Sequence, residues 1–264
     1  MGKEVEKIPI IRLTEGDKLD MEDVVVREIP FTIVLNNEEL VTLLCSPADL
    51  KYLAVGFLFS EGLLHSRDEI NKILVDERRG IVRVETKESL EPGKDVLFKR
   101  FITSGCGRGA SFYNAADVQA QEKIESQISI SAREIFILAK KFEHRSQVFL
   151  ATGGVHSAAL CDSINVLVFN EDIGRHNAID KVFGECILTD LPTEDRIIIT
   201  SGRISSEILL KVARRKIPII ISKSAPTNLG VKLAEDLGIT LIGFVRGKRM
   251  NVYTNIGRIA NVEK

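Results

Sequence analysis

A chain of 264 residues with 44% hydrophobic and 28% charged side chains has the make-up of an ordinary globular protein, with room for a sizeable core in one large domain or two small ones. Its 36 basic and 37 acidic residues nearly cancel, which excludes a polyanion binder driven by bulk charge and leaves local clusters to make any basic site. No apolar run approaches the ~20 residues that span a bilayer. The N-terminus "MGKEVEKIPIIRL" lacks a signal-peptide core, and Glu6 stands where a myristoylation signal needs Ser or Thr. The expected location is the cytoplasm, with neither membrane nor nucleic acid as a partner.

In chain order, "FTIVLN" and "ELVTLLC" flank Asn37 and Glu38 and predict a hairpin. Ser46-Pro47-Ala48-Asp49 reads as an N-cap, a first-turn proline and a capping-box acid, opening a helix with Leu50, Leu53, Ala54, Phe57 and Leu58 on one face. "IVRVETK" alternates like a half-buried strand, and "DVLFKRFI" reads as another after the turn-rich "ESLEPGKD". Residues 114–127 are polar and expected to be helical.

Ser131-Ala132-Arg133-Glu134 is a second capping box, ahead of Ile135, Leu138, Ala139 and Phe142 at helical spacing. The expected domain boundary falls just before it, dividing a β-rich N-terminal domain (1–127) from an α/β domain (128–264). In the second domain strands are predicted at "VFLAT", "SAALC", "NVLVF", "RIIIT", "IPIIIS" and "ITLIGFV". Helices are predicted at 175–188, 205–215 and 227–237. Continuously apolar strands alternating with amphipathic helices define an α/β fold whose sheet is mixed, largely parallel and covered on both faces.

The polar segments that follow four of these strands are the first functional signal: "NEDIGRHN" (170–177), "TSGRISS" (200–206), "SKSAPT" (222–227) and "RGKR" (246–249). Loops after the carboxyl ends of strands sharing one direction lie along one edge of an open α/β sheet, where ligands bind. Three of the four lead into helices, whose free N–H groups favour an anion. Ser201, Gly202, Ser205, Ser222, Ser224 and Thr227 offer hydroxyls or close backbone approach, and Arg175, Arg203, Lys223, Arg246, Lys248 and Arg249 offer charge. One such segment would be read as a turn and a cap; four on one edge predict a pocket for a large phosphorylated ligand. His156 and His176 adjoin these segments, and ligand contact or proton transfer suits them as well as a structural hydrogen bond does. His65 and His144 read as surface residues at helix ends.

None of the four cysteines forms a C-x-x-C pair, so neither a zinc knuckle nor a dithiol redox motif is indicated. Cys45, Cys161 and Cys186 end or interrupt apolar runs and read as small core residues. Cys106, in "FITSGCGRGA", differs. It stands between Gly105 and Gly107, with Lys99, Arg100 and Arg108 close in sequence. Neighbouring cations lower a thiol's pKa, and the glycines give the loop freedom, which suits a sulfur that visits one surface and then another.

Together "SGCG", "TGGVHSAAL", "EDIGRHNAIDKVFG", "SGRISSEILLKV" and "SKSAPTNLGVKLAEDLGITLIGFVRGKRMNVYT" resemble, in order over about residues 25–255, the formate dehydrogenase accessory sulfurtransferase family (FdhD). The resemblance implies a sulfur carrier. It takes persulfide sulfur from a cysteine desulfurase and passes it to the molybdenum of a bis(molybdopterin guanine dinucleotide) cofactor, before that cofactor enters formate dehydrogenase. By this likeness Cys106 carries the persulfide and Phe244, Val245, Arg246, Gly247, Lys248 and Arg249 hold the guanine dinucleotide, for which GDP would be a partial mimic. Ser201, Gly202, Arg203, Ser222, Lys223, Arg175 and His176 are the further candidate cofactor-binding residues. The resemblance also implies a cytidine-deaminase-like, three-layer C-terminal domain and a homodimer.

Some relatives read G-C-G-x-C-G; here Gly109 replaces the second cysteine, which leaves a one-thiol relay. A zinc deaminase is disfavoured, because Ser157 and Ala158 follow His156 where H-x-E is required, and C-x-x-C is missing. A chaperone that holds the cofactor without using Cys106 chemically is the alternative.

Overall fold

The computed structural model describes residues 2–87 and 122–260. Cys106 with its loop, the strand expected at "DVLFKRFI" and most of the helix expected at 114–127 lie outside the described residues; residues 122–127 have no regular structure.

The chain opens with a long hairpin, β1 (Val5–Leu13) and β2 (Lys18–Val26), that forms a sheet of its own. Ile11, Leu13 and Leu19 are exposed toward its tip. A four-stranded sheet follows, in the order β4-β3-β6-β5, from β3 (Ile29–Leu35), β4 (Glu38–Cys45), β5 (Ile70–Asp76) and β6 (Ile81–Thr86). Asn36 and Asn37 turn the β3–β4 hairpin at φ 47° and 70°, the left-handed pair that a two-residue hairpin loop requires.

Helix α1 (Leu50–Ser60) covers this sheet, with Leu50, Leu53, Ala54, Phe57 and Leu58 buried against Phe31, Ile33, Leu43 and Val82. Each leucine or phenylalanine side chain contributes roughly 1.5–3 kcal/mol by leaving water, and the Ala54 methyl about 0.8 kcal/mol. The capping box expected at Ser46 does not form. Asp49 precedes the helix at φ 55° without a side-chain cap, and Ser46 is turned inward.

The larger unit contains β7 (Ile130–Ser131), α2 (Ala132–Arg145), α3 (Gln147–Thr152), β8 (His156–Cys161), β9 (Val166–Asp172), α4 (Arg175–Leu188), β10 (Ile197–Thr200), α5 (Ser206–Arg214), β11 (Ile219–Ser222), α6 (Asn228–Asp236), β12 (Thr240–Arg246), β13 (Arg249–Val252) and β14 (Ile259–Ala260). Its six-stranded sheet runs β13-β12-β11-β10-β8-β9 and is mixed. The β10–β11 and β11–β12 pairs are parallel, and the other three are antiparallel.

Alternate residues of the isoleucine-rich strands face opposite layers. Ile198, Ile220 and Leu241 meet α4, α5 and α6, while Ile197, Ile199, Ile219 and Ile221 meet α2. The result is a three-layer α/β/α unit, as expected. The Ser131 capping box is present, with Ser131 Oγ accepting from Glu134 N–H and Glu134 accepting from Ser131 N–H at 2.7 Å. Ile124 packs in the core of this unit.

"VFLAT" is helix α3, not a strand. Its β-forming composition is overridden because the Glu171 carboxylate accepts from Val148 and Phe149 N–H at 3.0 and 3.1 Å, and Gly153 closes the helix at φ 65°. Helix α4 has the expected bounds, and α5 and α6 are one residue shorter at each end. Among the described residues no helix is long and apolar enough to cross a membrane.

The two sheets meet where α1 packs on α4. A Cβ on Gly56 would collide with the Asp180 carbonyl, and one on Gly184 with that of Tyr52, so both positions require glycine. Gly56→Ala or Gly184→Ala should destabilise the protein by about 3 kcal/mol or more, because backbone cannot yield as a side chain can. Gly257→Ala, which meets nothing within 4 Å, should stay within about 0.5 kcal/mol. Urea unfolding of the three variants checks this.

Candidate functional site

Strand β8 opposes β10 and β9 opposes β8, so β9, β10, β11 and β12 all point one way. The four polar segments after them therefore emerge on one edge. His156, at the start of the reversed strand β8 and paired with Asp172, lies there too.

Direct contacts join neighbouring segments. Ser201 N–H donates to Ser157 O at 3.0 Å, and Ser201 Oγ accepts from Ser157 N–H at 2.9 Å. Gly202 lies flat against Arg175, where an added Cβ would come within 2.8 Å of the arginine's own Cβ. Ser222 Oγ donates to Gly202 O at 2.7 Å and accepts from Ser224 N–H at 2.9 Å. Lys223 N–H reaches Thr200 O at 3.2 Å, Phe244 N–H reaches Ser224 O at 3.1 Å, and Arg246 Nε donates to Lys223 O at 3.3 Å.

These contacts sort the candidates. Ser222 is fully buried with both hydrogen-bonding roles used, so it shapes the edge from beneath. Val245 places its side chain in the apolar core under α2, leaving its backbone as the part open to a ligand. Lys223 is ion-paired with Glu143 of α2, and His176 Nε2 lies 3.1 Å from Glu207 Oε2 on α5. Arg203, Arg246, Gly247, Lys248 and Arg249 are exposed, and Ser201, Arg175, His176 and Phe244 are half-buried.

Strand β12 ends irregularly. Its register against β13 shifts between Gly243 and Arg246, and Phe244 takes φ 52°, a conformation that costs a bulky residue roughly 1–3 kcal/mol. The Arg246 guanidinium sits 5.7 Å from the centre of the Phe244 ring, and Gly247 makes the following turn at φ 60°. The distortion presents an aromatic ring and a guanidinium side by side.

Helix N-termini add to the edge. Neither Gly174 before α4 nor Ser205 before α5 provides a side-chain cap, whereas Thr227 caps α6 by accepting from Gly230 N–H. Two helices thus begin here with N–H groups that no capping side chain satisfies. This fits a ligand carrying several phosphates.

The turn bearing Arg175 and His176 is anchored by Asp172, which the sequence reading did not single out. Its Oδ1 accepts from Gly174 N–H and Asn177 Nδ2, both at 2.9 Å. Its Oδ2 accepts from Ser46 N–H at 3.1 Å and lies 2.8 Å from Lys181 Nζ. Lys181 is fully buried and also donates to Ser46 Oγ at 2.9 Å and Glu171 O at 3.1 Å. The edge is therefore tied to the N-terminal sheet through Ser46. The acid in "NEDIGRHN" was the available signal; Glu143 gave none, because its partner Lys223 is distant in sequence.

Among the described residues no group of three His, Cys, Asp or Glu side chains is placed to hold a metal ion. Fold and site thus define a class: an α/β protein with a four-stranded and a six-stranded sheet, and with four polar loops meeting on one edge of the larger sheet. The chain belongs to the FdhD/NarQ family, whose model matches residues 26–260. It is 45% identical over 260 residues to the sulfur carrier protein FdhD of Bacillus pumilus (98% of this chain, 99% of that one) and 41% identical over 256 residues to that of Staphylococcus aureus strain MRSA252 (97% of each). A crystal structure assigned as a formate dehydrogenase accessory protein from Desulfotalea psychrophila superposes with a TM-score of 0.81 at 28% identity, covering 97% of this chain and 99% of the other.

Cys45, Cys161 and Cys186 each sit in a different apolar cluster, and burial pushes all three thiols up to about 12. At pH 7.5 their thiolate fraction is on the order of 10⁻⁴ or less. Alkylation of the native protein by iodoacetamide at that pH should leave these three unmodified while denatured protein reacts at all of them; peptide mapping checks this.

Proposed function

We propose that this chain is a sulfur carrier for the maturation of formate dehydrogenase. The observation that carries the proposal is the convergence of the four polar segments on one edge, in a chain whose close relatives are named sulfur carriers. In this reading the Cys106 thiolate attacks the outer sulfur of a persulfide on a cysteine desulfurase. The donor's S–S bond breaks, its cysteine leaves as thiolate, and Cys106 keeps the sulfane sulfur.

The bis(molybdopterin guanine dinucleotide) cofactor is the cargo. Its guanine dinucleotide part lies along the edge, with phosphates toward the N-termini of α4 and α5 and toward Arg246, Lys248 and Arg249. The outer sulfur of Cys106 then passes to the molybdenum, which supplies the electron pair for the new bond, and the Cys106 thiolate is regenerated. One thiol suffices for this cycle, which agrees with Gly109 in place of a second cysteine. The protein works in the cytoplasm as a homodimer, a reading supported by the exposed Ile11, Leu13 and Leu19 on a two-stranded ribbon that would be marginal alone.

Two variants test the halves separately. Cys106→Ser should bind GDP like the parent yet fail to restore formate dehydrogenase activity in cells lacking this protein; restored activity would favour a cofactor chaperone without sulfur chemistry. Replacing Arg246, Lys248 and Arg249 with Ala should weaken GDP binding at least about tenfold and flatten its salt dependence. Unchanged affinity would locate the nucleotide elsewhere.

A further inference from the structure

His156 is bound to its surroundings in a way the relay above does not use. Its Nδ1 lies 3.3 Å from Ser201 Oγ. That oxygen also accepts from Ser157 N–H, and in the neutral tautomer whose hydrogen sits on Nε2 the serine donates its own hydrogen to Nδ1. Among the described residues Nε2 has no hydrogen-bond partner, and His156 is half-buried.

The charged groups facing the ring are Arg175 and His176 from the first turn of α4 and Asp172 from β9. Asp172 is committed to Lys181, Ser46, Gly174 and Asn177, and His176 faces Glu207 of α5. Glu171, the next acid on β9, bonds Ser157 Oγ and the start of α3. Burial first, then Arg175 and His176, hold His156 below its usual 6.5, with Asp172 opposing them.

We propose that His156 is a ligand-binding residue of this edge that takes up a proton as a phosphorylated anion enters. An anion beside Arg175 and His176 offsets the positive charge that keeps the ring neutral. The proton comes from solvent and binds Nδ1. Ser201 Oγ then accepts from both Ser157 N–H and Nδ1–H, and its own hydrogen is released toward the ligand. Nε2–H makes a second, charge-assisted bond to a ligand oxygen.

The proposal rests on the reading that this edge binds the nucleotide portion of the cofactor, and GDP is the probe. Proton–carbon NMR of the four histidine rings, with His156 assigned through His156→Gln, follows each titration with and without saturating GDP. Without ligand the His156 midpoint should lie below 6.5. With GDP it should climb by roughly one pH unit, which strengthens binding by up to about tenfold as the pH falls between the two midpoints. His156→Gln should lose that gain while keeping its thermal midpoint at pH 8.

Thermal unfolding at two pH values supplies a second readout. A depressed folded-state midpoint contributes stability that is present above pH 6.5 and lost as the pH falls through the folded-state value. GDP should therefore raise the thermal midpoint more at pH 6 than at pH 8 in the parent, and equally at both in His156→Gln after the pH dependence of GDP itself is subtracted. GDP binding with an unmoved His156 midpoint overturns this proposal alone. Failure of GDP to bind the parent overturns both it and the nucleotide reading.

Discussion

The contact on which the structure depends is the packing of α1 on α4. At Gly56 and Gly184 two backbones touch, and buried charges flank the crossing: Lys181 with Asp172, and Lys211 with Asp180 at 2.7 Å and Glu61 at 3.6 Å. Burial works against the charge on Lys211, yet the two carboxylates more than offset it and hold its pKa up. Ser60 adds a hydrogen bond to Asp180 at 2.6 Å. Pairs of this kind add little net stability, but losing one member leaves an uncompensated charge costing about 3–5 kcal/mol.

Helix α4 converts that fixed arrangement into a functional one. Its first turn carries Arg175 and His176 at the edge where the four loops meet, and its middle holds Asp180, Lys181 and Gly184 against α1. Ile187, near its end, packs in the core of the four-stranded sheet. One rigid element thus links the N-terminal sheet, in the part of the chain that also bears Cys106, to the residues proposed to grip the cofactor. Asp172 joins the two functions, since its separate oxygens hold the α4 turn and the Ser46 backbone.

Much of the larger unit was legible because its signals are local. The Ile197–Ile199 and Ile219–Ile221 runs announced buried strands, and the capping box at Ser131 announced α2. The convergence of the four loops was inferred from strand direction, and β9 satisfies it although it is separated from β10 by the reversed β8. The errors occurred where a distant group decides local structure. Glu171 turns "VFLAT" into a helix, and Asp172 with Lys181 draws Ser46 away from its capping role. Ser222, named for its hydroxyl, and Val245, named through the family resemblance, both have side chains committed inward; which way a side chain faces at a strand end is set by tertiary contacts.

Sulfur carriage by Cys106 is the proposal on which the maturation role stands. Its most direct test is intact-mass and peptide mass spectrometry after incubation with a cysteine desulfurase and cysteine. The account requires one added sulfur, mapped to the peptide containing Cys106 and removed by reductant, with Cys45, Cys161 and Cys186 unchanged. An unmodified Cys106 under conditions where the desulfurase itself is loaded, or sulfur appearing on one of the buried cysteines, would contradict it.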